Sequence, residues 1–146
     1  MQIIYYELKS VLEKPLEESV SAIGFFDGIH RGHQQLINKT IEVAKDKGLK
    51  SSMITFSPSP ASVLGNQEES LLTTIDERIE VARKLGVVQF IVLKFTRSLS
   101  QLSTDDFHEK ILNTLNIKHI VCGEDFRYGF KGVGSIETLK TVEGLG

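Results

Sequence analysis

GFFDGIHRGHQQLI, residues Gly24 to Ile37, lies where an apolar run gives way to helical spacing, and it carries two histidines, His30 and His33, at that junction. The residues leading into it, SVSAIGFF (Ser19 to Phe26), are small or apolar and end on Asp27 and Gly28, which is the pattern of a buried strand closed by loop chemistry. Those that follow, HQQLINKTIEVAKDKG, set Leu36, Ile37, Ile41, Val43 and Ala44 at near-helical intervals and stop at Gly48, so the spacing predicts a helix. A strand handing over to a helix N-terminus leaves unpaired backbone N–H groups and a partial positive charge at the junction, which suit phosphate. Gly24, Gly28 and Gly32 allow the backbone to approach a ligand closely or to take positive φ. His33 falls about one turn from His30, on a similar side of the helix start. Two imidazoles there add donors to one anion, and the segment reads as a triphosphate site. A helix cap or a solvated surface explains two histidines but not the glycines beside them. A zinc site from Asp27, His30 and His33 is the other chemical option. Zinc takes three or four protein ligands in tetrahedral array, however, and the single Cys122 is far along the chain.

The same alternation of strand and helix continues outward. SSMITF (Ser51 to Phe56) reads as a strand followed by a loop with Pro58 and Pro60; TTIDERIEVARKLG reads as a helix with Thr73 or Thr74 as N-cap and Gly86 as its stop. VVQFIVLKF (Val87 to Phe95) is a third buried strand. STDDFHEKILNTLN is a helix opening on Ser103 or Thr104 with an acidic first turn. KHIVCG (Lys118 to Gly123) is a fourth strand, and SIETLKTVEG a last helix. Strands alternating with helices imply an α/β fold, a parallel sheet with helices on both faces. Ligands of such sheets lie beyond the carboxyl ends of the strands. Gly24–His33, Phe56–Pro60 and Gly123–Gly134 all follow strands and are expected on one rim.

Composition sets the remaining bounds. At 146 residues, with 40% hydrophobic and 25% charged side chains, the chain is expected to form one domain over 1–146. A net charge of −2 gives no reason to expect a nucleic-acid partner. No stretch approaches the roughly 20 apolar residues of a membrane span. The N-terminus lacks a signal-peptide pattern, so the cytoplasm is the expected location. One cysteine forms no internal disulfide, and Cys122 reads as a small strand-end residue. The Asp105/Asp106/His108/Glu109 cluster and the Asp76–Glu77–Arg78 run both read as helix starts, and Glu68–Glu69 as a loop. Oligomeric state and metal preference are not readable.

The Gly24–His33 segment resembles the signature of the HxGH nucleotidyltransferase superfamily. Its longer form, G-x-F-D-G-x-H-x-G-H, is closer still to the adenylyltransferase (FAD synthetase) module of the bacterial bifunctional riboflavin kinase/FMN adenylyltransferase family. Gly24, Phe26, Asp27, Gly28, His30, Gly32 and His33 all match. TFSPSPASVL, from Thr55, resembles that family's T-F-x-P-x-P loop, and CGEDFRYGFKGVGS, from Cys122, its G-x-D-F-x-F-G-x-x-x-x-G segment.

The resemblance implies a Rossmann-like nucleotidyltransferase fold and transfer of AMP from ATP to FMN with release of pyrophosphate, Mg²⁺ accompanying ATP. It implies catalytic roles for His30 and His33, ATP binding by the seven matched residues, and flavin binding by Phe56, Pro58, Pro60, Asp125, Phe126, Arg127 and Tyr128. Arg127 and Lys131 could face phosphates. The family often has histidine between the prolines, where this chain has Ser59. It also carries a later I-S-S-T-x-I-R segment that completes the ATP site, and a riboflavin kinase domain. Neither occurs in these 146 residues, so the chain is expected to be a C-terminally truncated piece of a longer protein. Another HxGH adenylyl- or cytidylyltransferase acting on a different small phosphate, and a non-catalytic flavin or nucleotide module, are the alternatives. A class I aminoacyl-tRNA synthetase fragment ranks below them.

Overall fold

A computed structural model of the chain describes residues 1–28, 31–65 and 71–123. Its centre is three strands, β2 (Ser19–Ile23), β3 (Lys50–Ser57) and β4 (Gln89–Lys94), whose burial runs along the strand without alternating between inside and outside. Such runs are stable only where both faces of a sheet are covered, and β2 is buried along its whole length. Two further strands, β1 (Gln2–Tyr6) and β5 (Ile117–Val121), complete an all-parallel sheet in the order β1-β4-β3-β2-β5.

The helices divide between the two faces. α1 (Arg31–Lys47) and α3 (Ile75–Leu85) send Ile37, Ile79 and Ala82 against Ala22, Met53 and Phe90. On the other face α4 (Arg97–Ser100) and α5 (Thr104–Phe107) bring Leu99 and Phe107 against Ile54, Ile91 and Leu93. Full burial of side chains this size stabilises by roughly 1.5–3 kcal/mol each. The chain thus steps outward from β2 to β3 to β4 with its helices on one face. It then returns along the opposite face to lay β5 on the far side of β2. The sheet order reverses between β2 and β5, and α/β proteins place their ligands at that reversal. The segment after β2 opens there.

Helix ends follow the expected chemistry. Thr74 caps α3 through a full capping box: its hydroxyl accepts from Glu77 N, and Glu77 Oε1 accepts from Thr74 N. Gly86 ends the helix at φ 104°, a left-handed conformation that glycine adopts without cost, with its N–H on the Ala82 and Arg83 carbonyls. Ser103 caps α5.

Four elements differ from the sequence reading. β1 was not expected; it pairs with β4 as an edge strand, and Ile3 and Tyr5 remain exposed on it. The stretch after β3 is not all loop, because Pro60–Leu64 form a short helix, α2. α4 interrupts the exit from β4. The helix expected after Ser103 widens after Phe107 into a π-turn over His108–Asn113. No helix of the described residues is long and apolar enough to cross a membrane. The last helix expected from sequence, over SIETLKTVEG, lies outside the described residues.

Candidate active site

The segment after β2 is tied down residue by residue. Gly24 N donates to the Ile54 carbonyl (3.1 Å) at the end of the β2–β3 ladder. The Phe25 carbonyl accepts from the Thr55 hydroxyl (2.6 Å) and from Arg78 Nη1 (3.3 Å). Phe26 takes φ 58°, a left-handed conformation that costs a bulky residue roughly 1–2 kcal/mol. Its ring is buried, 3% exposed. Gly28, at φ 76°, takes a left-handed conformation that glycine adopts without the strain a side chain would meet.

Asp27 is bonded to the segment before α3. Its Oδ1 accepts from Thr73 N (2.9 Å), Leu72 N (3.0 Å) and the Thr73 hydroxyl (3.1 Å), and its Oδ2 accepts from Leu72 N (3.0 Å). The Thr73 hydroxyl also accepts from Gly28 N (3.0 Å) and from Arg78 Nε (3.2 Å). Burial pushes the Asp27 carboxyl up. The Leu72 and Thr73 N–H groups, the Thr73 hydroxyl and the nearby Arg78 charge outweigh it, and the group is held below the usual carboxylate value of 3.8.

His33 stands in the first turn of α1, partly buried, with its ring edge-on to Phe26 at 5.3 Å between centroids and 83° between planes. Gly32 precedes it on the exposed helix start. The left-handed Phe26 thus carries the aromatic ring that meets the imidazole edge-on. The N-terminus of this helix, with an imidazole in its first turn, can hold an anion by N–H donation and dipole charge. His30, between the loop and the helix, lies outside the described residues.

The second expected segment divides. Phe56 is 8% exposed; its ring packs in the core, edge-on to Phe95 at 6.0 Å. Pro58 lines a cleft of about 440 Å³ together with Tyr5, Tyr6, Ser57, Ile75 and Lys94. Pro60 begins α2. Ser59 caps this short helix: its hydroxyl accepts from Ser62 N (3.2 Å), and its carbonyl accepts from the Ser62 hydroxyl (2.9 Å) and Val63 N (3.2 Å). A serine therefore serves the local backbone at the position where histidine was the expectation. Asp125, Phe126, Arg127 and Tyr128 of the third segment lie outside the described residues, as do Lys131 and Glu68–Glu69. So the described residues place Gly24–Gly28 and His33 together at the switch point and Pro58 and Pro60 further along the same rim.

The residue that sequence reasoning missed is Arg78. Read as part of a charged helix start, it is instead fully buried, and its guanidinium lies 4.7 Å over the Phe25 ring. Its one warning in the sequence is position: Arg78 stands four residues before Ala82 and next to Ile79, on the apolar stripe of α3. The Asp105/Asp106 pair is a capped helix start, as read. His108, beside it, is buried; burial lowers its basicity and Asp105 partly restores it. Among the described residues no three His, Cys, Asp or Glu side chains gather as metal ligands, and both Asp27 oxygens are engaged with Leu72 and Thr73.

Comparison with known proteins shows the family and the fold. The sequence profile of the family described as FAD synthetase matches residues 12–145. The bifunctional riboflavin kinase/FMN adenylyltransferase of Listeria monocytogenes is 40% identical over 122 residues, 82% of this chain and 39% of that protein. Its counterpart in Bacillus subtilis is 36% identical over 131 residues, 88% and 42% respectively. The chain spans about two-fifths of the length of these relatives. A crystal structure titled a macrolide-efflux protein from Streptococcus pneumoniae superposes with a TM-score of 0.87 at 27% identity, over 99% of this chain and 48% of that one. A universal stress protein from Archaeoglobus fulgidus, at TM-score 0.52 and 14% identity, covers 86% of this chain and 93% of its own, and shares the fold.

Proposed function

Because the chain belongs to the FAD synthetase family, we propose that it binds ATP and FMN and transfers AMP from the one to the other, giving FAD and pyrophosphate. It is read here as one nucleotidyltransferase domain over 1–146, acting within the cytoplasm. The observation that carries the reading is the fixed loop Gly24–Gly28 leading, at the reversal of the sheet, to a helix N-terminus with His33 in its first turn.

The chemistry asks little covalent help from the protein. An oxygen of the FMN phosphate attacks the α-phosphorus of ATP in line. The bond from that phosphorus to the α–β bridging oxygen breaks, and pyrophosphate leaves with the electron pair. Transfers of this kind depend on positioning and on donors aimed at developing charge. His33 and His30 serve as those donors, together with the N–H groups at the start of α1. Gly24, Gly28 and Gly32 let the backbone come close to the phosphates, Phe26 supports His33, and Asp27 holds the loop. Mg²⁺ bound with ATP would supply charge shielding for the transferring phosphates. Pro58 and Pro60 border the flavin side, Phe56 backs the loop from the core, and Asp125, Phe126, Arg127 and Tyr128 are assigned to flavin binding on the family motif alone.

The test is acceptor choice. The protein is incubated with Mg-ATP and, separately, FMN, a pyridine mononucleotide and a phosphorylated pantetheine, and products are separated by chromatography. FAD and pyrophosphate in equal amounts from FMN are expected. Faster adenylylation of another acceptor would overturn the assignment.

A further inference from the structure

Resting on that reading, we propose that Arg78 is the positioning residue of the phosphate-binding loop. Its guanidinium fixes the backbone at Phe25–Gly28 and, through the Phe26 ring, the attitude of the His33 imidazole. A charged side chain with no exposed surface is costly unless its donors are matched. Here they are matched across three segments distant in sequence. Nη1 donates to the Phe25 carbonyl (3.3 Å) after β2 and to the Thr55 hydroxyl (3.2 Å) in β3, while Nε and Nη2 donate to the Thr73 hydroxyl and carbonyl (both 3.2 Å) before α3. Asp27 Oδ1 stands 3.8 Å from Nη2 as the counter-charge.

The loop needs this hold. Phe26 is left-handed, and such a conformation persists in a bulky residue only where its neighbours over-determine it. On one side Phe25 is fixed by Thr55 and Arg78; on the other, Asp27 and Gly28 are fixed to Thr73, itself bonded to Arg78. The Phe26 ring, so placed, meets His33 edge-on. A planar fork can span Phe25, Thr55 and Thr73 at once, whereas a lysine ammonium reaches them from a single point.

The experiment compares wild type with Arg78→Lys, Arg78→Met and Thr73→Val. The last removes the hydroxyl shared by Asp27, Gly28 and Arg78 while leaving the buried charge in place. Three quantities are read: the imidazole proton resonances of His33, assigned with His33→Gln among the four histidines of the chain; kcat and KM for ATP and for FMN; and the melting temperature. Arg78→Met and Thr73→Val are expected to move the His33 resonances and to lower kcat/KM for ATP by about 10- to 100-fold, the scale of a misplaced catalytic group. KM for FMN should stay within about twofold, with Arg78→Lys in between. Folded variants with unmoved His33 resonances and unchanged ATP kinetics would overturn the proposal. So would equal losses for ATP and FMN that merely follow the loss of folded protein. Where Arg78→Met fails to fold, Thr73→Val decides. A wild type that adenylylates another acceptor in place of FMN would sink the assigned reaction, while the His33 resonances would still judge the role of Arg78.

Discussion

Asp27 and His33 sit six residues apart in one conspicuous motif and do different kinds of work. The aspartate faces inward to the Leu72–Thr73 backbone; the histidine stands at the helix start where phosphate is expected. Their substitutions should differ accordingly. His33→Ala should cut FAD formation by about 10²- to 10³-fold, as for loss of one preorganised donor, with FMN affinity nearly unchanged in a fluorescence titration; equal loss of both would point to a structural role. Asp27 acts through stability. Its folded value lies below 3.8, so its ionised form is the one that favours the fold. That contribution is whole above the ordinary carboxylate range and is lost as pH falls through the lowered value. Urea unfolding of wild type and Asp27→Asn should show a stability gap that is constant from about pH 7 to about pH 5 and closes below about pH 4. A gap that does not change with pH would remove the charge from the explanation. The motif itself was plain in the sequence, because its glycines and histidines have few other uses together. Arg78 was not, because a charged residue after Asp76 and Glu77 reads as a solvated helix start, and only three-dimensional neighbours make it internal.

Elements show the same division between what local chemistry announces and what tertiary pairing decides. The stop of α3 was readable from Gly86 and its cap was narrowed to Thr73 or Thr74, of which Thr74 serves; both roles are settled within one turn of helix. Thr74→Ala should lower stability by about 1 kcal/mol in a denaturant titration; no change would mean that packing alone orders this end. β1 was not readable. QIIYY has no turn residue beside it and no clean alternation, and it is a strand because β4 offers it an edge. Around Pro58 and Pro60 the prolines suggested a loop, yet Ser59 satisfies the open N–H groups that start α2. The widening at His108–Asn113 has no marker in STDDFHEKILNTLN that we can identify.

At the scale of the whole molecule, continuous apolar strands between helical stretches already required a parallel sheet covered twice. The strand order, and with it the reversal between β2 and β5, depends on pairings that no single segment encodes. The sheet is also the rigid body on which the site stands. Phe90, fully buried between β3 and α3, should cost about 3–5 kcal/mol on conversion to alanine, measured by chemical denaturation; a cost below about 1 kcal/mol would mean that this face is less tightly packed than described. The most direct measurement is the fate of labelled phosphorus when the protein acts on ATP and FMN. With label in the α-phosphate of ATP, radioactivity should appear in FAD; with label in the γ-phosphate, it should appear in pyrophosphate and never in flavin. Transfer of the γ-label to a flavin, or recovery of the α-label only in ATP, would contradict an adenylyl transfer at this site.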